Sequence, residues 1–269
     1  MIRKQTTSNK DVAIVIPLYN KHLKPDESIS LRQLDKHLKK YPKYFLSPNN
    51  LRAKELDRPG YRTIRFDKSY FTGREPYNKL LLQKDFYLAF KKYKYILIYQ
   101  LDALVFSDKL LYWCNKGYDY ISSPWFASKI GFFTNKKNSP KSGGNGGFSL
   151  RSVPKSIKVL EKVQLLTKRK ATNTIVRKLW FLSAVLTGKS HKIWLNALAD
   201  NYPFNEDGFW SLEAPKYLPG FKVAPFKEAL KFGFETHPAM SFKLNGGKLP
   251  FGCHAWARYD RKFWEKHLD

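Results

Sequence analysis

The chain has 269 residues, 43% hydrophobic and 16% aromatic, enough to bury the core of one large domain or two small ones. Lys and Arg exceed Asp and Glu by 49 − 22 = 27, so the surface presents a positive field that attracts phosphates, anionic lipid or nucleic acid. Only Cys114 and Cys253 are present, far apart in sequence, which excludes a disulfide framework and a cysteine zinc motif and points to a reducing compartment.

The first residues are basic, but the apolar run Val12 to Leu18 is short and contains Pro17, so neither a signal peptide nor a membrane span is expected. A cytoplasmic protein is expected, peripheral on the inner face of a membrane where it meets one. Val12 to Ile16 reads as a strand buried on both faces, closed by the turn chemistry of Pro17-Leu18-Tyr19-Asn20. Leu31, Leu34, Leu38 and Tyr41 then recur at helical spacing, with Lys36, Lys39 and Lys40 outside the stripe. Tyr44-Phe45-Leu46 and Thr63 to Phe66 read as short strands. Pro76 opens a helix carried by Leu82, Phe86, Ala89, Phe90 and Tyr93. Tyr95 to Tyr99 is again an apolar, β-branched and aromatic strand, ending at Gln100-Leu101-Asp102.

The order β-α-β-β-α-β predicts an α/β fold with a mostly parallel, Rossmann-like central sheet, in a single domain over residues 1 to 269. Tyr118 to Ile121 and Phe148 to Leu150 add strands, and the polar, Gly-rich stretch 131 to 147 between them reads as a mobile loop that becomes ordered at Asn145-Gly146-Gly147. Residues 153 to 200 hold ten Lys or Arg and two acids among regularly spaced Leu, Val and Ile, a basic helical insertion that packs on the sheet or faces a membrane or acceptor.

Several polar groups stand at the ends of apolar segments, where a parallel sheet gathers ligands. Asp102 is one, although the same residue also fits a turn or helix cap. Along an extended chain Gln100 and Asp102 face the same side, and a carboxylate plus an amide oxygen suit Mg2+ or Mn2+. Asn145-Gly146-Gly147 either lets backbone approach a ligand closely or forms a tight turn. Glu206-Asp207 resembles a helix start, and a carboxylate there beside Phe209-Trp210 also suits a general base. His254 is a metal ligand or a structural hydrogen-bonding residue. No GxxxxGK[ST], GxGxxG or GxSxG pattern occurs, so a P-loop ATPase, a dinucleotide dehydrogenase and the commonest α/β hydrolase have no support.

The segments VAIVIPLYN (Val12 to Asn20), PYNKLLLQKDFY (Pro76 to Tyr87), YILIYQLDALVF (Tyr95 to Phe106), YDYISSPWF (Tyr118 to Phe126), GNGGFSLRS (Gly144 to Ser152), NEDGFW (Asn205 to Trp210) and PFGCHAW (Pro250 to Trp256) resemble, in this order, the glycosyltransferase-like family catalogued as domain of unknown function 5672. The resemblance implies a GT-A-type nucleotide-sugar transferase with a nucleotide diphosphate-sugar donor and a divalent cation, Mn2+ or Mg2+. It aligns Asp102 with the last Asp of the GT-A metal motif, with His254 approaching the metal or diphosphate. Gln100 stands where many such enzymes carry a first Asp, a departure that lowers the expected metal affinity and leaves Lys79 and other basic residues to share in neutralising the diphosphate. The resemblance further implies Pro17, Leu18, Tyr19 and Asn20 near the nucleoside, Asp67 accepting a hydrogen bond from the base, and Asn145, Gly146 and Gly147 bordering the donor sugar. Asp207 or Glu206 then acts as general base.

The expected function is transfer of a hexose from a UDP-sugar to a glycan or lipid-linked acceptor, with inversion, in surface-polysaccharide or lipopolysaccharide synthesis. The expected partners are that donor, that acceptor and an anionic membrane surface. Nucleic acid is not expected, because the basic residues are dispersed and the aromatics sit inside apolar runs. Two alternatives stay open: a nucleic-acid-binding basic protein, and a catalytically silent scaffold of the same fold at a membrane surface.

Overall fold

The computed structural model describes residues 7–126, 144–171, 202 and 204–268. In β1 (Val12–Pro17) every residue is buried, which only a strand covered on both faces accommodates. Its alternation divides the interior. Val12, Ile14 and Ile16 pack with Leu31, Leu34 and Leu38 of α1 (Pro25–Leu38), while Ala13 and Val15 pack on the other face with Phe86, Phe90, Leu160 and Trp210. Each fully buried Ile or Leu side chain there contributes about 1.5–3 kcal/mol.

β2 (Lys43–Pro48), β3 (Tyr61–Phe66), β4 (Tyr95–Tyr99), β6 (Tyr120–Pro124) and β7 (Gly144–Ser152) complete a six-stranded sheet in the order β3-β2-β1-β4-β7-β6. β1 to β4 are parallel, as expected, and β7 runs antiparallel to both β4 and β6. β5 (Leu104–Val105), β8 (Gly233–Phe234) and β9 (Gly252–Cys253) form a second, three-stranded sheet in the order β5-β9-β8. It packs with Trp256 and Trp264 in a third apolar cluster. The small sheet brings distant chain to the end of β4: Trp256 N donates to Asp102 O at 3.1 Å and His254 N to Phe234 O at 2.9 Å.

The single helix expected from Pro76 to Tyr93 is two, α2 (Arg74–Leu80) and α3 (Lys84–Leu88). Leu80, Leu81 and Leu82 are all buried, and three consecutive residues cannot share one helical stripe, so the chain turns between them. α4 (Leu110–Asn115) carries Cys114, which like Cys253 is buried and free. α5 (Val153–Ala171) begins the expected basic insertion and buries Val159, Leu160 and Val163 against the sheet. The rest of that insertion, from 172 to 200, and most of the expected loop, 131 to 143, lie outside the described residues. Among the described residues no helix is long and apolar enough to cross a membrane.

Candidate active site

The carboxyl ends of β1 and β4 open on a cleft of ≈ 510 Å³. Pro17, Leu18, Tyr19 and Asn20 line it opposite Gln100, Leu101 and Asp102, so the residues expected near the nucleoside and the metal do meet. Tyr19 is 53% exposed, a free aromatic face at the cleft. Asn145, Gly146, Gly147, Glu206, Asp207 and His254 are not among the residues that line the cleft, and Asp67 and Lys79 stand elsewhere. Asp67 is exposed and spends its carboxylate on Ser69 N (2.8 Å), capping the turn Lys68–Phe71. Lys79 pairs with Glu75 at 3.2 Å and lines a separate groove with Tyr202 and Phe204. The helix phase explains this: α2 turns Arg74 and Tyr77 toward the cleft, one turn apart, and a residue two positions beyond Tyr77 falls on the opposite face. Lys24, Arg74 and Arg258 are the cations that line the cleft instead.

At the end of β4 the chain does not stay extended. Ala103 N donates to Gln100 O at 2.9 Å, closing a turn, so simple alternation does not set the directions of Gln100 and Asp102. The turn nevertheless aims both at His254, whose Nε2 is 3.2 Å from Gln100 Oε1 and 3.2 Å from Asp102 Oδ1. On the other side of the ring, Nδ1 lies 3.4 Å from Glu235 Oε1, which also accepts from Asn145 Nδ2 at 2.8 Å. Burial opposes charge on His254, but Asp102 and Glu235 outweigh it and push the imidazole pKa up to about 10. Burial likewise opposes charge on Asp102, and the facing His254 holds it below the usual carboxylate range.

This donor set fits a hard divalent cation. A dication that displaces the Nε2 proton, with the Nδ1 proton kept toward Glu235, would find a lone pair at Nε2 beside the oxygens of Gln100 and Asp102, and Asp102 Oδ1 is buried without a well-directed hydrogen bond. One carboxylate, one amide and one imidazole then converge. Among the described residues no three His, Cys, Asp or Glu side chains group as metal ligands.

Asn145-Gly146-Gly147 belongs to β7 and not to a turn. None of these glycines has a positive φ; what they supply is closeness. A Cβ on Gly147 would lie 2.1 Å from His254 Nε2 and 2.7 Å from Gln100 Oε1. Because the Glu235 contact limits where the ring can go, Gly147→Ala is expected to displace His254 and weaken cation and donor binding about 10–100-fold while the protein stays folded. Calorimetric titration beside a thermal melt checks this; unchanged binding would mean that the ring is free to move.

A Cβ on Gly146 would instead lie 2.0 Å from Glu206 Oε1. Glu206, expected as an alternative general base, is committed to a buried ion pair. Arg151 Nη1 and Nη2 donate to its two oxygens at 2.8 Å each, and Arg151 also reaches Ser149 Oγ, Tyr87 OH and Gly146 O. A fully satisfied fork of this kind holds the helix start at Glu206–Gly208 against β7. Removing one partner strands the other, so Arg151→Ala is expected to cost about 3–5 kcal/mol in urea denaturation.

Asp207, the other acid of Glu206-Asp207, has no ion pair among the described residues. It is 7% exposed and accepts from Gly208 N at 2.7 Å and Gly146 N at 3.3 Å. Burial, and then the charge of Glu206, push its pKa up to about 7, the range that suits a general base at neutral pH. Arg151, Glu235, Arg74 and Arg258 received no role from the sequence. An Arg inside the apolar alternation of Phe148 to Arg151 signals a buried pair, whereas nothing local marks Glu235.

The model of the family described as "Protein of unknown function (DUF5672)" matches residues 60–254, more than half of the chain. No curated protein matches it. Among solved structures, the galactosyltransferase LgtC in complex with donor and acceptor sugar analogues aligns at TM-score 0.52 and 11% identity over 95% of each chain. An active-site mutant of LgtC aligns at TM-score 0.51 and 12% identity over 95% of this chain and 94% of that one. A glycosyltransferase involved in glycosylation of the major capsid of PBCV-1 aligns at TM-score 0.44 and 8% identity over 96% and 98%. At these identities the LgtC likeness establishes a shared GT-A fold.

Proposed function

The chain belongs to the DUF5672 family, and we propose that it is a glycosyltransferase that moves a hexose from a UDP-sugar to a hydroxyl of a glycan or lipid-linked acceptor. The observation that carries this reading is the pair of glycines in β7. Gly147 packs on His254 and Gln100, and Gly146 donates to Asp207, which sets a cation-binding cluster one residue away from a buried carboxylate with a pKa of about 7. The galactosyltransferase activity of LgtC, on the same fold, supports the class.

Each side chain then has a task. Tyr19 offers an aromatic face to the base. Lys24, Arg74 and Arg258 neutralise the diphosphate. Asp102, Gln100 and His254 hold Mn2+ or Mg2+, which when bound supplies positive charge to the leaving diphosphate. Asn145 and the two glycines border the donor sugar. Asp207 takes the proton of the acceptor hydroxyl as its oxygen bonds to the anomeric carbon and the bond from that carbon to the diphosphate oxygen breaks, inverting the centre. The net charge of +27 supports an acceptor presented at an anionic membrane surface, as in surface-polysaccharide synthesis.

A thermal-shift panel of nucleotide sugars with and without Mn2+ tests the reading, because a ligand stabilises the state that binds it. One donor is expected to stand out and to yield transferred or hydrolysed sugar. If no nucleotide diphosphate sugar stabilises the protein, the reading fails; a product of retained anomeric configuration by proton NMR removes Asp207 from the role of base in a single displacement.

A further inference from the structure

Glu235 follows β8 directly, and the parallel pairing of β8 with β9 sets it beside His254. Its side chain is 11% exposed, and among the described ion pairs its partner is His254 alone. One of its oxygens, Oε1, meets both His254 Nδ1 (3.4 Å) and Asn145 Nδ2 (2.8 Å), while Asn145 Oδ1 accepts from Gly147 N at 2.8 Å. A single carboxylate oxygen therefore links the ring that faces Asp102 and Gln100 to the strand that passes across that ring. Burying a carboxylate so is costly unless its contacts use it, and no Lys or Arg among the described residues is paired with it.

Resting on the glycosyltransferase reading, we propose that Glu235 is a positioning residue: it fixes the His254 ring with Nε2 toward Asp102 and Gln100, so that the ring ligates the divalent cation, and it holds Asn145 in register with that ring. A carboxylate behind a metal-binding imidazole fixes its orientation and raises its basicity as a ligand. A purely structural Glu235 serves Asn145 alone. Glu235→Gln separates the two roles, since it keeps the size and an acceptor oxygen for Asn145 but removes the charge behind the ring. Glu235→Ala removes both.

The test uses the full chain and Mn2+ alone. Mn2+ affinity is read by electron paramagnetic resonance, and direct imidazole ligation by the nitrogen coupling in the electron spin echo. The wild type is expected to show that coupling. Glu235→Ala is expected to weaken Mn2+ about 10–100-fold and to diminish the coupling, with Glu235→Gln between the two and melting near the wild type. Wild-type affinity and coupling in both variants overturn the proposal while leaving the cation site intact. Bound Mn2+ without nitrogen coupling in the wild type overturns His254 as a ligand, and the positioning role with it.

Discussion

Asp207→Asn is expected to lower turnover by about 10²–10⁴-fold and, at pH 8, to make the folded protein more stable than the wild type. Both effects have one origin. The folded protein holds the Asp207 carboxyl at a pKa of about 7, because burial and Glu206 oppose its charge, whereas in an unfolded chain an Asp titrates near about 4. Between those two values the folded state binds more protons than the unfolded one, so stability falls as pH rises through that window. Above pH 7 the native state carries a buried charge in full. Asn cannot ionise and escapes this, which at about 1.4 kcal/mol per pKa unit gives a gain of roughly 1–4 kcal/mol at pH 8 and none below pH 4. Urea denaturation of both proteins at pH 4 and pH 8 measures it. The acid limb of kcat/KM in the wild type is expected to rise through about pH 7, where the base form appears. Full turnover in the mutant would remove the carboxylate from the chemistry, and a mutant less stable than the wild type at pH 8 would mean that the fold does not oppose its charge.

How much of this was legible depended on the range of the interactions involved. β1 and β4 carry their burial in uninterrupted apolar runs, and the stripe of α1 lies within four turns, so local pattern suffices. Leu82, Phe86, Phe90 and Tyr93 satisfy a helical spacing, but the burial of Leu80 and Leu81 as well breaks the helix, and spacing alone does not register that. In the site, Gln100 and Asp102 stand at the end of the apolar run of β4, where the parallel sheet opens on the cleft, whereas Asp207 opens a short helix and His254 follows β9, both buried. Glu235 meets Asn145 across 90 residues of chain and Arg151 meets Glu206 across 55, through the register of β8 on β9 and of β7 in the large sheet. No local signal encodes such a register. Lys79 and Asp67 lie away from the cleft for reasons of local detail: the phase of α2, and a cap that competes for the carboxylate.

Asp102→Asn is expected to lower Mn2+ affinity about 10–100-fold or more and to abolish the additional stabilisation that Mn2+ gives in the presence of donor. The Asp102 side chain is 49% exposed, yet Oδ1 is turned inward and buried against His254. With Asn in its place, Gln100 and His254 are the remaining donors and the first shell holds no anion, so a dication has only amide oxygens and a ring nitrogen to replace its water. Gln100→Asp is expected to do the opposite. It puts a second carboxylate, one methylene shorter, on the side of His254 Nε2 where Gln100 Oε1 now stands at 3.2 Å, and gives the pair of acids expected of a GT-A motif. With Glu235 already behind the ring, this makes three carboxylates around one imidazole, which repel one another without a cation, so the melting temperature of Gln100→Asp should fall below the wild type in chelator and rise above it in Mn2+. Melting curves of the three proteins with chelator and with Mn2+ decide the matter. A Mn2+ shift that is the same in all three would mean that the cation does not bind between these side chains, and that His254, held protonated by Asp102 and Glu235, is itself the positive charge at the end of β4.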